Sequence, residues 1–143
     1  MPSRDATTVW KGGLQSGSGE VSLDSSNAGQ FSVSFPTRAG NPDGQTSPEE
    51  LIAAAHSSCL AMNLSGVLES ENLAPDSIDV SAEVTLGSDG AGFAITGIAI
   101  TLRAQVPGVD AEKFQQLARK AEQTCPVSKA LSGTTITLDA ALA

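Results

Sequence analysis

The sequence predicts an α+β fold, with antiparallel β-sheet around one central buried helix, and three observations carry that reading. Apolar residues alternate with polar ones near the start of the chain and again in its middle. Between these stretches lies a long apolar segment preceded by a helix-start signature. A second, amphipathic helix and a last strand follow. At 143 residues the chain fits a single domain, 1–143, and it shows no repeat, linker or low-complexity tract.

The first 35 residues read as a β-meander. Thr7-Thr8-Val9-Trp10 is a short strand ended by Lys11-Gly12-Gly13. Val21 and Leu23 alternate with Ser22 and Asp24, and Phe31, Val33 and Phe35 with Ser32 and Ser34, which is the pattern of half-buried antiparallel strands. Pro36 to Thr46 reads as a loop, punctuated by Asn41-Pro42-Asp43-Gly44. In Ser47-Pro48-Glu49-Glu50, Ser47 stands at the N-cap, Pro48 at N1 and Glu50 at N3, a capping box. The helix behind it runs from Leu51 to about Ser70 and is apolar around much of its surface, as a buried helix is.

Ile78, Val80, Ala82, Val84 and Leu86 mark the next strand, and Gly87-Ser88-Asp89-Gly90 turns the chain. The strand after it changes phase, from Phe93 and Ile95 to Ile98, Ile100 and Leu102, so a β-bulge is expected at Gly97. A helix starts at Asp110 and places Phe114, Leu117, Ala118 and Ala121 on one face. It stops at Thr124, because Pro126 disfavours helical geometry at Cys125. A helical turn over 126–131, Gly133 and a strand Thr134–Leu138 complete the pass.

Composition narrows the function. Hydrophobic residues make up 40% and charged residues 17%, an ordinary globular balance, but there are only four Phe, one Trp and no Tyr. A core built from Ala, Val, Ile and Leu gains by burying surface against a second copy, a hint of oligomerisation. Net charge is −8 and the eight Lys and Arg are scattered, which argues against a nucleic-acid partner. The apolar runs fall short of the roughly 20 residues of a membrane span, so no membrane is expected. Met1-Pro2-Ser3-Arg4-Asp5 is not a signal peptide, and a cytoplasmic location is expected. There, a cysteine pair is more often catalytic than structural.

Four residues are candidates for chemistry. Cys59 lies mid-helix among Ser57, Ser58, Leu60 and Ala61, where the plain reading is a small buried hydrophobe, although His56 lies one turn earlier on the same face. Cys125 precedes Pro126 and so caps a helical turn, where free N–H groups lower a thiol pKa; Lys129 is one turn on. A reactive Cys59 needs a cation, and Arg38 is the one near this helix in sequence, with Glu49 as a carboxylate to orient it. Taken singly, Arg38 reads as a solvated loop charge and Glu49 as a helix-dipole partner. One His and two Cys do not make a four-ligand zinc site, so no metal is expected, and the glycines lie in hairpins rather than a phosphate loop.

Thr46-Ser47-Pro48-Glu49-Glu50-Leu51-Ile52-Ala53-Ala54-Ala55-His56-Ser57-Ser58-Cys59 resembles the central-helix signature of the OsmC/Ohr family, and Cys125-Pro126-Val127-Ser128-Lys129-Ala130-Leu131 its second cysteine motif. Trp10, Thr37-Arg38 and Gly92-Phe93-Ala94-Ile95-Thr96 extend the resemblance over nearly the whole chain. His56 and the Ala-Gly-Phe-Ala-Ile-Thr stretch look more like the OsmC branch. The resemblance implies an intertwined homodimer with active sites at its interface. It implies an antioxidant thiol peroxidase of the osmotic and oxidative stress response, reducing alkyl hydroperoxides to alcohols with an external thiol or dithiol and no cofactor. By position, Cys59 is then peroxidatic and Cys125 resolving, Arg38 activates, and Glu49 holds Arg38. Ten residues of straight helix separate Glu49 from Cys59 by about 15 Å, so either the helix breaks or Arg38 bridges the gap, as in a dimer. Two rival readings are a redox sensor or disulfide oxidoreductase using the same cysteines, and a non-enzymatic, stress-induced binding protein in which both merely pack.

Overall fold

The computed structural model describes residues 1–143, which divide into two compact units, Met1–Leu51 and Ile52–Ala143. In the first, β1 (Thr7–Lys11), β2 (Ser18–Ser22) and β3 (Gln30–Val33) form the expected meander, antiparallel in the order β1-β2-β3. The stretch from Pro36 is not all loop. A short helix, α1 (Phe35–Ala39), forms because Ser34 leaves the strand and accepts the Thr37 N–H, while Pro36 supplies a ready-made φ for the first turn. Phe35 therefore opens a helix instead of ending a strand.

Helix α2 (Pro48–Ser70) starts where its signature stands. The Ser47 hydroxyl accepts the Glu50 N–H at 3.1 Å, but the Glu50 carboxylate takes the Thr46 hydroxyl (2.6 Å), so only one arm of the capping box closes. The helix is unbroken through Cys59, which removes the expectation of a break between Glu49 and Cys59. At 23 residues it is also long and apolar enough, by composition, to cross a membrane, contrary to the expectation that no run suffices. A core helix passes the same test, and within the chain one face is packed: His56, Leu60, Leu64 and Leu68 are fully buried. Ala54, Ala55, Ser58, Met62 and Gly66 stand exposed on the other face.

In the second unit β4 (Ser77–Ser88) and β5 (Phe93–Gln105) form a long antiparallel hairpin. Thr85 pairs with Gly97 and Leu86 with Ile95, so Thr96 is the extra residue of a bulge beside the expected Gly97. Gly87 has to be small there: a Cβ on it would come within 2.8 Å of the Thr96 side chain. Beyond the bulge Ile98, Ile100, Leu102 and Ala104 point inward against Leu60, Leu64 and Leu68, and against Phe114, Leu117, Ala118 and Ala121 of α3 (Ala111–Thr124). Asp110 caps α3 through the Lys113 N–H at 2.8 Å. After α4 (Pro126–Ala130), β6 (Thr135–Leu142) runs four residues past the expected end and pairs with β5 in parallel. The sheet β4-β5-β6 is thus mixed, where antiparallel pairing throughout was expected. Phe114 is the one fully buried aromatic, and the core is otherwise aliphatic.

Candidate active site

In the first unit α1 and the first turn of α2 bring Arg38 onto Glu49. Arg38 Nε lies 3.0 and 3.2 Å from the two carboxylate oxygens, and Nη2 lies 2.7 Å from Oε1. This is the planar two-pronged pairing that Arg makes and Lys does not. The Nε–Nη2 edge is used, so the Nη1 corner remains for another acceptor. Burial raises the Glu49 carboxyl, but the hydrogen bond and charge of Arg38, with the Glu49 N–H and the Ser47 hydroxyl, outweigh it and hold the group below its ordinary range. Arg38 also lines an apolar pocket of about 240 Å³ with Trp10, Leu14, Val33, Phe35 and Pro48.

In the second unit the two cysteines meet. Thr124 ends α3, and Cys125 before Pro126 takes the extended geometry φ −62°, ψ 122° that the proline imposes. Asn63, one turn beyond Cys59 on α2, donates to the Ala121 carbonyl (2.6 Å) and the Thr124 hydroxyl (2.9 Å). It thereby satisfies a carbonyl that the end of α3 leaves open and pins that end to α2. The result is a Cys59–Cys125 Sγ–Sγ separation of 3.3 Å between free thiols, a hydrogen-bonding distance well beyond the ~2.05 Å of a disulfide.

The electrostatics of the pair is asymmetric. At Cys125 burial raises the pKa. The N–H of Ser128, the Cys59 thiol, the Ser128 hydroxyl and the N–H of Val127 act the other way and leave it lowered, although no N–H closes a full capping hydrogen bond. Cys59 is raised, first by burial and then by hydrogen bonding to and repulsion from Cys125, against a lowering pull from the Val127 N–H. Of the two thiols, Cys125 is the readier to ionise. Access runs the opposite way: Cys59 is partly exposed and Cys125 is fully buried.

Residues 40–139 match the family model described as OsmC-like protein. The chain belongs to the OsmC-like family. The peroxiredoxin OsmC of Escherichia coli (strain K12) is 45% identical over 130 residues, covering 91% of this chain and 90% of that protein. An organic hydroperoxide resistance protein of Xanthomonas axonopodis pv. citri (strain 306) is 34% identical over 113 residues, 78% of each. Among solved structures, an organic hydroperoxide resistance protein from Elizabethkingia anophelis superposes with a TM-score of 0.78 at 31% identity, covering 100% of this chain and 98% of that one.

For an OsmC-like protein the four expected residues therefore fall in two pairs, Arg38–Glu49 and Cys59–Cys125, each within one unit. Three further side chains support the thiol pair and carry no role in the sequence reading. Asn63 is visible only as an amide at i+4 from Cys59. Ser128 stands inside the second cysteine motif, at the position whose N–H faces the capping residue. His56 is fully buried, with Nε2 2.7 Å from Ser128 Oγ.

Proposed function

We propose that this chain is a thiol peroxidase that reduces organic hydroperoxides to alcohols, and hydrogen peroxide more weakly. The observation that carries the reading is the pair of free thiols 3.3 Å apart, one accessible and the other buried and favoured as thiolate. The names of its relatives, a peroxiredoxin and proteins of organic hydroperoxide resistance, support the same chemistry. As thiolate, Cys59 attacks the terminal peroxide oxygen; the O–O bond breaks, the alkoxide leaves and takes a proton, and Cys59 becomes a sulfenic acid. Cys125 thiolate then attacks that sulfur, the S–O bond breaks, and the hydroxide leaves with a proton as water. An external thiol or dithiol supplies two electrons to reopen the Cys59–Cys125 disulfide.

Arg38, aligned by Glu49, is assigned to stabilise the Cys59 thiolate through its remaining N–H donors. Because α2 is unbroken, with about 15 Å of rise from Glu49 to Cys59, the activation is assigned to a homodimer. The exposed small-residue face of α2 around Met62 suits burial against a second copy. The apolar pocket beside Arg38 favours alkyl chains over a bare peroxide.

The test is a single turnover with one equivalent of cumene hydroperoxide, followed by mass spectrometry. Cys59→Ser should be inert, Cys125→Ser should release one alcohol and retain a trappable sulfenic acid on Cys59, and the unsubstituted chain should end as the disulfide. Sulfenic acid on Cys125 of the Cys59→Ser variant would reverse the roles. No oxidation of either thiol would leave the packed, non-enzymatic reading.

A further inference from the structure

His56 is the most unusual buried group in the second unit. It is fully covered on an otherwise apolar helix face, and Ser128, the partner of its Nε2, is only 5% exposed. Its Nδ1 has no hydrogen-bond partner. An unsatisfied N–H in a dry interior is rarer than an unsatisfied acceptor, so the ring proton belongs on Nε2 and Nδ1 keeps a bare lone pair. In that tautomer Nε2–H donates to Ser128 Oγ at 2.7 Å, and the Ser128 hydroxyl hydrogen must turn elsewhere. Ser128 stands at the third position of α4, whose N-cap is Cys125, so its hydroxyl lies one helical turn from the Cys125 sulfur and is among the groups that lower that thiol's pKa.

We propose that His56 is a positioning residue for Cys125: by donating to Ser128 Oγ it aims the serine hydroxyl at the Cys125 sulfur and holds it as the thiolate that closes the disulfide. The alternative tautomer would have Ser128 donate to the ring and withdraw its hydrogen from the sulfur. Burial favours the neutral ring, lowering the His56 pKa against a smaller opposing pull from Glu122 of α3. Glu122 is the charged group that acts on the His56 ring, and Cys59 stands one turn on along α2. A protonated His56 still donates from Nε2, so the arrangement survives mild acid.

The role in disulfide closure rests on the peroxidase reading, but the titration of Cys125 does not. Thiolate absorbance against pH is measured in the Cys59→Ser background, where Cys125 is the only thiol and no peroxide is present. Ser128→Ala, which removes one oxygen, should raise the Cys125 half-ionisation pH by about one unit. His56→Leu should do the same, and His56→Gln, which keeps an N–H donor, should restore most of the difference. With both cysteines present, disulfide closure after one equivalent of hydroperoxide should then slow about tenfold at neutral pH in His56→Leu and recover as pH rises. An unmoved Cys125 titration in Ser128→Ala overturns the proposal. A shift in Ser128→Ala with none in His56→Leu, or no rescue by His56→Gln, overturns the part assigned to His56.

Discussion

Replacing Arg38 by Met keeps an unbranched apolar stem and removes the guanidinium with its charge, and the structure dictates how the consequence varies with pH. Glu49 is 7% exposed, and Arg38 supplies three N···O contacts of 2.7–3.2 Å to its carboxylate. In the folded protein the Glu49 pKa lies below its ordinary 4.5. The pair's stabilisation is therefore complete above about pH 4.5 and is lost as pH falls through the folded value. Without Arg38, burial is opposed only by the Glu49 N–H and the Ser47 hydroxyl, and the folded pKa is expected to rise above the unfolded one. The variant then loses stability as pH climbs past 4.5, so the gap between the two proteins opens from acid to neutral. Stranding a deeply buried charge costs about 3–5 kcal/mol. Here the Arg38 side chain is 34% exposed and the carboxylate lies just beneath the surface, so screening reduces the expected loss to about 1–3 kcal/mol at pH 7. Urea unfolding at one protein concentration, at pH 7 and pH 3.5, measures it. The gap should nearly close at pH 3.5, and Glu49→Gln in the same chain should recover much of the loss at pH 7. An equal loss at both pH values would mean that Arg38 acts through packing, and would refute the ion-pair account.

Two further outcomes are expected. Arg38→Lys keeps a charge but not the fork; losing one charge-assisted hydrogen bond, at about 1.5–3 kcal/mol, should lower kcat/KM for cumene hydroperoxide by roughly 10- to 150-fold, and unchanged kinetics across neutral pH would return Arg38 to a plain surface charge. The unsubstituted chain should sediment as a dimer at micromolar concentration, with an interface above about 2,000 Å², and Met62→Glu on the exposed face of α2 should weaken it, whereas a folded, monodisperse monomer of the unsubstituted chain would refute the assembly.

Much of the architecture was legible because it is local. Alternation located β4 and β5, the 3.6-residue period located the buried face of α3, and Pro126 fixed the end of that helix and the extended Cys125. The phase change between Ile95 and Ile98 marked the bulge to within one residue. The misreadings occur where a local signal was ambiguous or the partner was remote. Phe31-Val33-Phe35 continues a strand pattern across Ser34, yet Ser34-Phe35-Pro36 also starts a helix, and the cap wins. The parallel pairing of β6 with β5 depends on the return path through α3 and α4, and no pattern within β6 records direction. The Arg38–Glu49 pair was readable, since only eleven positions separate Arg38, in the last turn of α1, from Glu49, in the first turn of α2. The His56–Ser128 contact joins residues 72 positions apart, and neither residue type demands the other.

The ionisation preference of the pair and the proposed order of reaction look contradictory, since the lower pKa belongs to Cys125 and the attack is assigned to Cys59. At a 3.3 Å sulfur separation the conflict dissolves, because the two thiols share a hydrogen bond, and once the pair loses a proton either thiolate is reached by moving the remaining one along that bond. A charge kept on buried Cys125 is shielded from peroxide, whereas the same charge moved to partly exposed Cys59 is reactive. A guanidinium beside Cys59 would tip the proton toward Cys125 when substrate arrives. In the proposed cycle, Cys59 once oxidised would no longer compete for the negative charge, and the Ser128 hydroxyl would hold Cys125 ready as the second nucleophile. On the proposed reading the unequal environments serve the two steps in turn, and equalising them should slow one step or the other.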